Sequence, residues 1–163
     1  RQGQGDLRLM DTARDMQDLY RELVLDHSRH PRHFGRLDSA THSADGINPL
    51  CGDKLKLYLR VDERGLIEAT SFEGSGCAIS VASASLLTEA VTGLPVDEAD
   101  SCATVVTQHL DADKPDTDLG ANLQKLKALD GVRAYPSRIK CATLAWSALH
   151  SALNNDSAPA TTE

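Results

Sequence analysis

Residues 54–61 read KLKLYLRV, and this stretch decides the fold class. Leu55, Leu57, Leu59 and Val61 alternate with Lys54, Lys56, Tyr58 and Arg60. Successive side chains of an extended chain point to opposite faces, so a period of two predicts a strand with one apolar face and one solvated face. Asp62-Glu63-Arg64-Gly65 supplies a turn, and a second strand is expected from Leu66 to Glu73. Two strands joined by a short Gly-containing loop form an antiparallel hairpin. Part of Gly74–Ala78 reads as a short third strand.

On either side the period lengthens. Upstream, Met16, Leu19, Tyr20, Leu23 and Val24 recur at spacings of three and four, which predicts a helix over 11–26 closed by Pro31 and Gly35. Residues 36–53 read as loop, with Gly46 and Asn48-Pro49 as turn signals. Downstream, helices are expected over Ile79–Val91, Asp97–Leu110, Leu119–Leu129 (stopped by Gly131) and Arg138–Leu153, the last preceded by Pro136. The run DADKPDTDLG from Asp111 reads as a solvated acidic loop. Strands first and helices afterwards predict an α+β fold, a small three-stranded antiparallel sheet with packed helices. One domain is expected over 11–153, with 1–10 and 154–163 as flexible ends.

Composition narrows the function. The chain has 163 residues, enough for one core, and a formal net charge of -7, the wrong sign for binding nucleic acid through its phosphates. No apolar run is long enough for a membrane helix. The opening RQGQGDLRLM has no apolar segment behind it, so no secretory leader is expected and the setting is read as cytoplasmic and reducing. There the four cysteines, at 51, 77, 102 and 141, stay free or bind metal.

Three of them stand in unusual surroundings. In Asn48-Pro49-Leu50-Cys51-Gly52-Asp53 a thiol and a carboxylate lie two residues apart, on the same side of an extended segment. In Gly74-Ser75-Gly76-Cys77 the glycines permit a tight turn that sets Cys77 near a helix start, where backbone N–H groups favour a thiolate. Cys141 follows Arg138 and Lys140 at the first turn of the last helix, and two cations again favour a thiolate. Three sulfurs and one oxygen suit a four-coordinate zinc ion, and such a doubly negative centre needs nearby donors. Spacing alone leaves two readings open, one shared site or three separate thiols, buried or reactive. His27, His30 and His33 recur every three residues, but Pro31 interrupts the helix and they are read as helix-end and surface residues. Cys102 stands outside every motif and is read as a packed thiol.

LYRELVLDHSRHPRHFG (19–35), NPLCGDKLKLYLRV (48–61), FEGSGCAISVASASLLTEAVTG (72–93) and GVRAYPSRIKCATLAWSAL (131–149) together carry a resemblance. The chain resembles the U-type iron–sulfur cluster assembly family (IscU-like and NifU N-terminal-like), and within it the SufU-like branch. CGD, GSGCAIS and RIKCATLAW are specific in combination and order. The resemblance implies a SufE/IscU-like α+β fold and one metal site built from Cys51, Asp53, Cys77 and Cys141. The scaffold branch usually has His directly before the last Cys; here it is Lys140, a poor ligand while protonated, so Asp53 is the expected fourth ligand. An insertion between Gly93 and Leu126, carrying Cys102, is similar to the SufU-like pattern. Tyr135-Pro136-Ser137-Arg138-Ile139-Lys140 replaces the other branch's chaperone-docking motif, which speaks against a dedicated heat-shock chaperone partner.

The SufU-like branch implies a zinc-dependent sulfurtransferase that accepts persulfide sulfur from a pyridoxal-phosphate cysteine desulfurase of the SufS class. It would then supply downstream cluster-assembly proteins. Cys51, in a Gly-containing loop, is the expected acceptor; Cys77 and Cys141 are retained ligands, and Arg138 is expected to hold Asp53 or the outgoing sulfur. The alternative is a scaffold that assembles a transient [2Fe-2S] cluster on the same ligands. A third reading makes zinc structural in an adaptor that binds a desulfurase.

Overall fold

The computed structural model describes residues 3–111, 118–155 and 158–162. Helix α1 spans Gly3–Arg29; strands β1 (His42–Asn48), β2 (Asp53–Val61) and β3 (Ile67–Ser75) follow. Then come α2 (Ala78–Val91), α3 (Val96–Leu110), a 3₁₀ helix (Ala121–Ala134), α4 (Pro136–Leu153) and the short β4 (Ala160–Thr161). Residues 112–117 of the expected acidic loop lie outside the described residues. Among the described residues no helix is long and apolar enough to cross a membrane.

The α+β class stands, but the sheet has four strands and is mixed. Its order is β3-β2-β1-β4, antiparallel except for β4, which pairs parallel with β1 through Gly46↔Ala160 and Ile47↔Thr161. Thus the stretch read as a flexible C-terminal end places two residues in the sheet. Gly74-Ser75, read as the start of a third strand, instead end β3, and the third antiparallel strand is β1, which lies in the expected 36–53 loop. Its inward residues are Ala44, Gly46 and Asn48, so no apolar alternation shows. The small residues are needed because α4 lies directly on the strand. A Cβ at Gly46 would stand 3.2 Å from Leu144 Cγ and 3.3 Å from Leu55 Cδ1.

Helix α4 is buried on almost every side, between the sheet, α2 and α3. Pro136 opens it at a position whose N–H needs no helical partner. Trp146 is fully buried; its Nε1–H donates to Ser83 Oγ (3.1 Å), which donates to the Ala142 carbonyl (2.5 Å). The insertion between Gly93 and Leu126 contributes α3, packed on α4, and Cys102 lies partly buried against that core.

The segment after Gly120 is a 3₁₀ helix and runs through Gly131, although a helix over Leu119–Leu129 stopped by Gly131 was expected. Its buried residues are Leu123, Leu126, Leu129 and Val132. A strict spacing of three aligns them at three residues per turn, whereas an α-helix would spread them around its surface.

On α1 the expected stripe is only half used. Leu23 and Val24 pack against the core, while Met16 and Leu19 are 43% and 58% exposed. His27 stands in the last turn of α1, as expected of a helix-end residue, but it packs inward and is buried rather than lying on the surface. Ser85 Oγ accepts the Arg32 N–H (2.8 Å) and pairs with His27 Nδ1 (2.7 Å); His27 Nε2 faces Glu89 at 3.4 Å. Glu89 offers Nε2 only an acceptor, so Nε2 carries the hydrogen, and in the neutral ring Nδ1 accepts from the Ser85 hydroxyl. Burial, then the Arg32 charge, holds His27 below its ordinary value of 6.5. The unfolded chain therefore binds this proton first. Stability is complete above the ordinary histidine range and falls as pH drops through it toward the folded value. His27→Gln should flatten the loss of denaturation midpoint on acidification; an unchanged pH slope would show that His27 does not contribute.

Candidate metal centre

The site forms where β1 turns into β2. The strand register ends at Asn48↔Asp53, so a four-residue loop, Pro49-Leu50-Cys51-Gly52, closes the hairpin. The Cys51 N–H donates to the Asn48 carbonyl (3.3 Å), and Gly52 at φ +72° lies in the left-handed region that glycine adopts without strain. The segment from Cys51 to Asp53 is a turn rather than the extended stretch expected, although the two ligand atoms still converge. The tight turn carries Cys51 out to an exposed tip, while Asp53, the first residue of β2, is buried.

Asp53 is the hub. Its Oδ1 accepts the Cys77 N–H (2.9 Å); its Oδ2 accepts from Ser80 Oγ (2.7 Å) and Asn48 Nδ2 (3.4 Å). A carboxylate on the first turn of α2 gains from the partial positive charge at a helix N-terminus. This backbone donor was expected to serve the Cys77 sulfur; it serves Asp53 instead. Gly76 makes the approach possible, because a Cβ there would lie 2.7 Å from Asp53 Oδ1. Asn48 and Ser80 were not singled out from the sequence. The signal available was their place inside the NPLCGD and GSGCAIS motifs.

Cys51, Asp53 and Cys141 converge, with one ligand atom from each within 4.8 Å of the others. Cys77 is exposed and falls outside that compact group; its Sγ lies 3.7 Å from Ser80 Oγ. Cys141 is buried in α4. Its Sγ receives Asn48 Nδ2 at 3.5 Å and points to the Ser137 carbonyl at 3.6 Å. Burial pushes this thiol well above its ordinary value, and hydrogen bonding with Asp53, Cys51 and Cys77 pushes it further. This corrects the expectation of a thiolate favoured by Arg138 and Lys140. The Arg138 guanidinium lies over the Tyr135 ring, 5.2 Å from its centroid, and among the described residues the donors to Asp53 are Asn48, Cys77 and Ser80.

The donor set fits a soft divalent cation. Two thiols and a carboxylate already converge, and a third thiol stands on the adjoining turn. Of the four or so lone-pair directions on the Asp53 carboxylate, three are taken by protein donors, which leaves one for an ion. Cys102, partly buried in α3, belongs to no such group among the described residues; burial, then Glu98, raises its thiol.

Comparison with known proteins gives one consistent answer. Residues 19–142 match the family described as NifU-like N terminal domain. The zinc-dependent sulfurtransferase SufU of Bacillus subtilis (strain 168) is 38% identical over 135 residues, covering 83% of this chain and 89% of that one. The iron–sulfur cluster assembly scaffold protein IscU of Streptococcus pyogenes serotype M1 is 39% identical over 135 residues, covering 83% and 82%. A candidate cluster-assembly scaffold of the SUF system from Fervidobacterium islandicum AW-1 superposes with a TM-score of 0.70. It is 31% identical, covering 81% of this chain and 94% of that one.

Proposed function

The chain belongs to the NifU-like N-terminal domain family, and from that premise we propose that it is a zinc-dependent sulfurtransferase of iron–sulfur cluster biogenesis. It accepts persulfide sulfur in the cytoplasm from a cysteine desulfurase of the SufS class and passes it to downstream cluster-assembly proteins. The observation that carries this reading is an asymmetry at the site. Cys51 stands exposed at a hairpin tip, whereas its neighbours Asp53 and Cys141 are buried and hydrogen-bonded.

Cys51, Asp53, Cys77 and Cys141 would hold the zinc, which supplies the positive charge that keeps buried thiols ionised. The Cys51 thiolate attacks the outer sulfur of the partner's persulfide. A new S–S bond forms at Cys51, and the partner's own S–S bond breaks with its electron pair left on the partner's cysteine. One neutral sulfur atom moves, and no external oxidant or reductant is consumed. Cys51 can approach a partner because its loop projects from the sheet. Asp53 stays in place because three donors fix it.

A second reading has support of its own, since the Streptococcus relative, 39% identical against 38% for the Bacillus one, is named a scaffold. Thiolates serve a [2Fe-2S] cluster as well. Metal analysis with a desulfurase turnover assay separates the two: tight colourless zinc and stimulated turnover fit sulfur transfer, while a transferable, coloured iron cluster fits the scaffold. Retained stimulation by a Cys51 variant would fit an adaptor.

Asp53→Ala should lower zinc affinity by roughly 10–100-fold or more, because it removes both a ligand and the acceptor that orients Ser80, Asn48 and the Cys77 N–H. Chelator competition measures this. Unchanged zinc retention removes Asp53 from the ligand set.

A further inference from the structure

We propose that Asn48 is a positioning residue that decides which thiol is retained and which exchanges sulfur. The inference rests on the reading of this site as a zinc-held cysteine cluster.

Asn48 is fully buried and touches every part of the compact group through its carbonyl and its side-chain nitrogen. Its carbonyl holds the Cys51 N–H at 3.3 Å; its Nδ2 reaches Asp53 Oδ2 at 3.4 Å and Cys141 Sγ at 3.5 Å. Its Oδ1, also buried, has no hydrogen-bond partner among the described residues. Buried amide oxygens are rarely left unpaired. Turning the amide over would aim that oxygen at a carboxylate and a sulfur, which is repulsive. The observed orientation therefore gives up one hydrogen bond to place N–H donors on the two electron-rich ligand atoms.

The consequence differs between the thiols. A donor aimed at Cys141 Sγ stabilises its lone pairs and weakens it as a nucleophile. Asn48 gives Cys51 only a backbone bond, which fixes the turn and puts no amide donor on its sulfur. One buried side chain thus restrains Cys141 and Asp53 while directing exchange to Cys51.

The test is pulsed alkylation of the zinc-loaded protein with N-ethylmaleimide, followed by peptide mass mapping of each cysteine. In the unsubstituted chain Cys51 should label first and Cys141 last. In Asn48→Ala, Cys141 labelling should accelerate about 10-fold while Cys51 changes by less than about twofold, and zinc affinity should fall about 10-fold. Circular dichroism and the melting temperature of the metal-free forms verify the fold. Asn48→Ser keeps a turn-forming residue too short to reach Cys141 Sγ; it should behave like the alanine variant and decides the matter if that variant does not fold. Unchanged Cys141 labelling and zinc affinity would overturn the proposal, as would a uniform acceleration of all three thiols, the sign of a merely structural role. If the unsubstituted chain retains no zinc, the zinc-site reading fails and this inference with it. If it retains zinc and the variants match it, the role of Asn48 alone fails.

Discussion

Replacing Cys51 with Ser is expected to cut sulfur uptake from a cysteine desulfurase by on the order of 10³-fold or more, the scale on which removing an attacking nucleophile acts. An alcohol does not ionise near neutral pH and does not attack a persulfide as a thiolate does. The fold should survive the change. Cys51 is exposed, sits in a loop, and makes its one backbone bond through an N–H that Ser retains. Metal-free variant and parent should therefore melt at nearly the same temperature. Transfer of labelled sulfur from a desulfurase loaded with cysteine measures the effect. Normal uptake by Cys51→Ser would dismiss Cys51 as acceptor and turn attention to Cys77, the other exposed thiol on an adjoining turn.

The largest effect on stability is expected at Gly74, where no chemistry takes place. It sits at φ +138°, and a Cβ there would lie 2.2 Å from the Lys54 carbonyl oxygen and 2.6 Å from the Leu55 Cα. Both are backbone atoms in the centre of the sheet, so no side chain can swing aside. Backbone strain and overpacking together make Gly74→Ala cost about 3–5 kcal/mol. For a chain of this size that lowers the melting temperature by about 10 °C or more. The damage should also reach the site. Gly74 pairs with Leu55 in the β2–β3 register, two residues along β2 from Asp53. Weaker zinc retention should accompany the lower melting temperature. Gly65→Ala provides the contrast: it too has positive φ (+81°), but no atom of the described residues lies within 4 Å of its Cβ position. It should cost only the backbone strain, about 1–2 kcal/mol. Equal losses at the two positions would refute the close-approach argument.

Elements whose side chains are apolar at a regular period were legible in the chain itself. KLKLYLRV became β2, and the apolar helices after Cys77 became α2, α3 and α4. Strand β1 was not legible, because Ala44, Gly46 and Asn48 face inward for steric fit beneath α4 rather than for hydrophobicity. The 3₁₀ helix was visible as helical but not as its tighter form, although the spacing of Leu123, Leu126, Leu129 and Val132 held the clue. On α1, a periodic stripe did not reveal where the core stops, since periodicity is local and burial is not.

The sequence by itself determined the chemistry available: which residues carry thiols and carboxylate, the motifs that hold them, the family they resemble, and the α+β class. These are properties of side-chain type and short-range spacing, and both are written in the order of residues. Only the tertiary structure decided which groups meet and in what state. It brought Cys141 to Asp53 and Cys51 from a distant part of the chain, and left Cys77 at the edge of the group. It turned Arg138 away onto Tyr135, buried Cys141 so that its thiol is pushed up rather than down, and set Asn48 and Ser80 around the carboxylate. Desolvation, hydrogen-bond direction and close backbone approach depend on what the rest of the chain packs against each group, and no local pattern of residues contains that information.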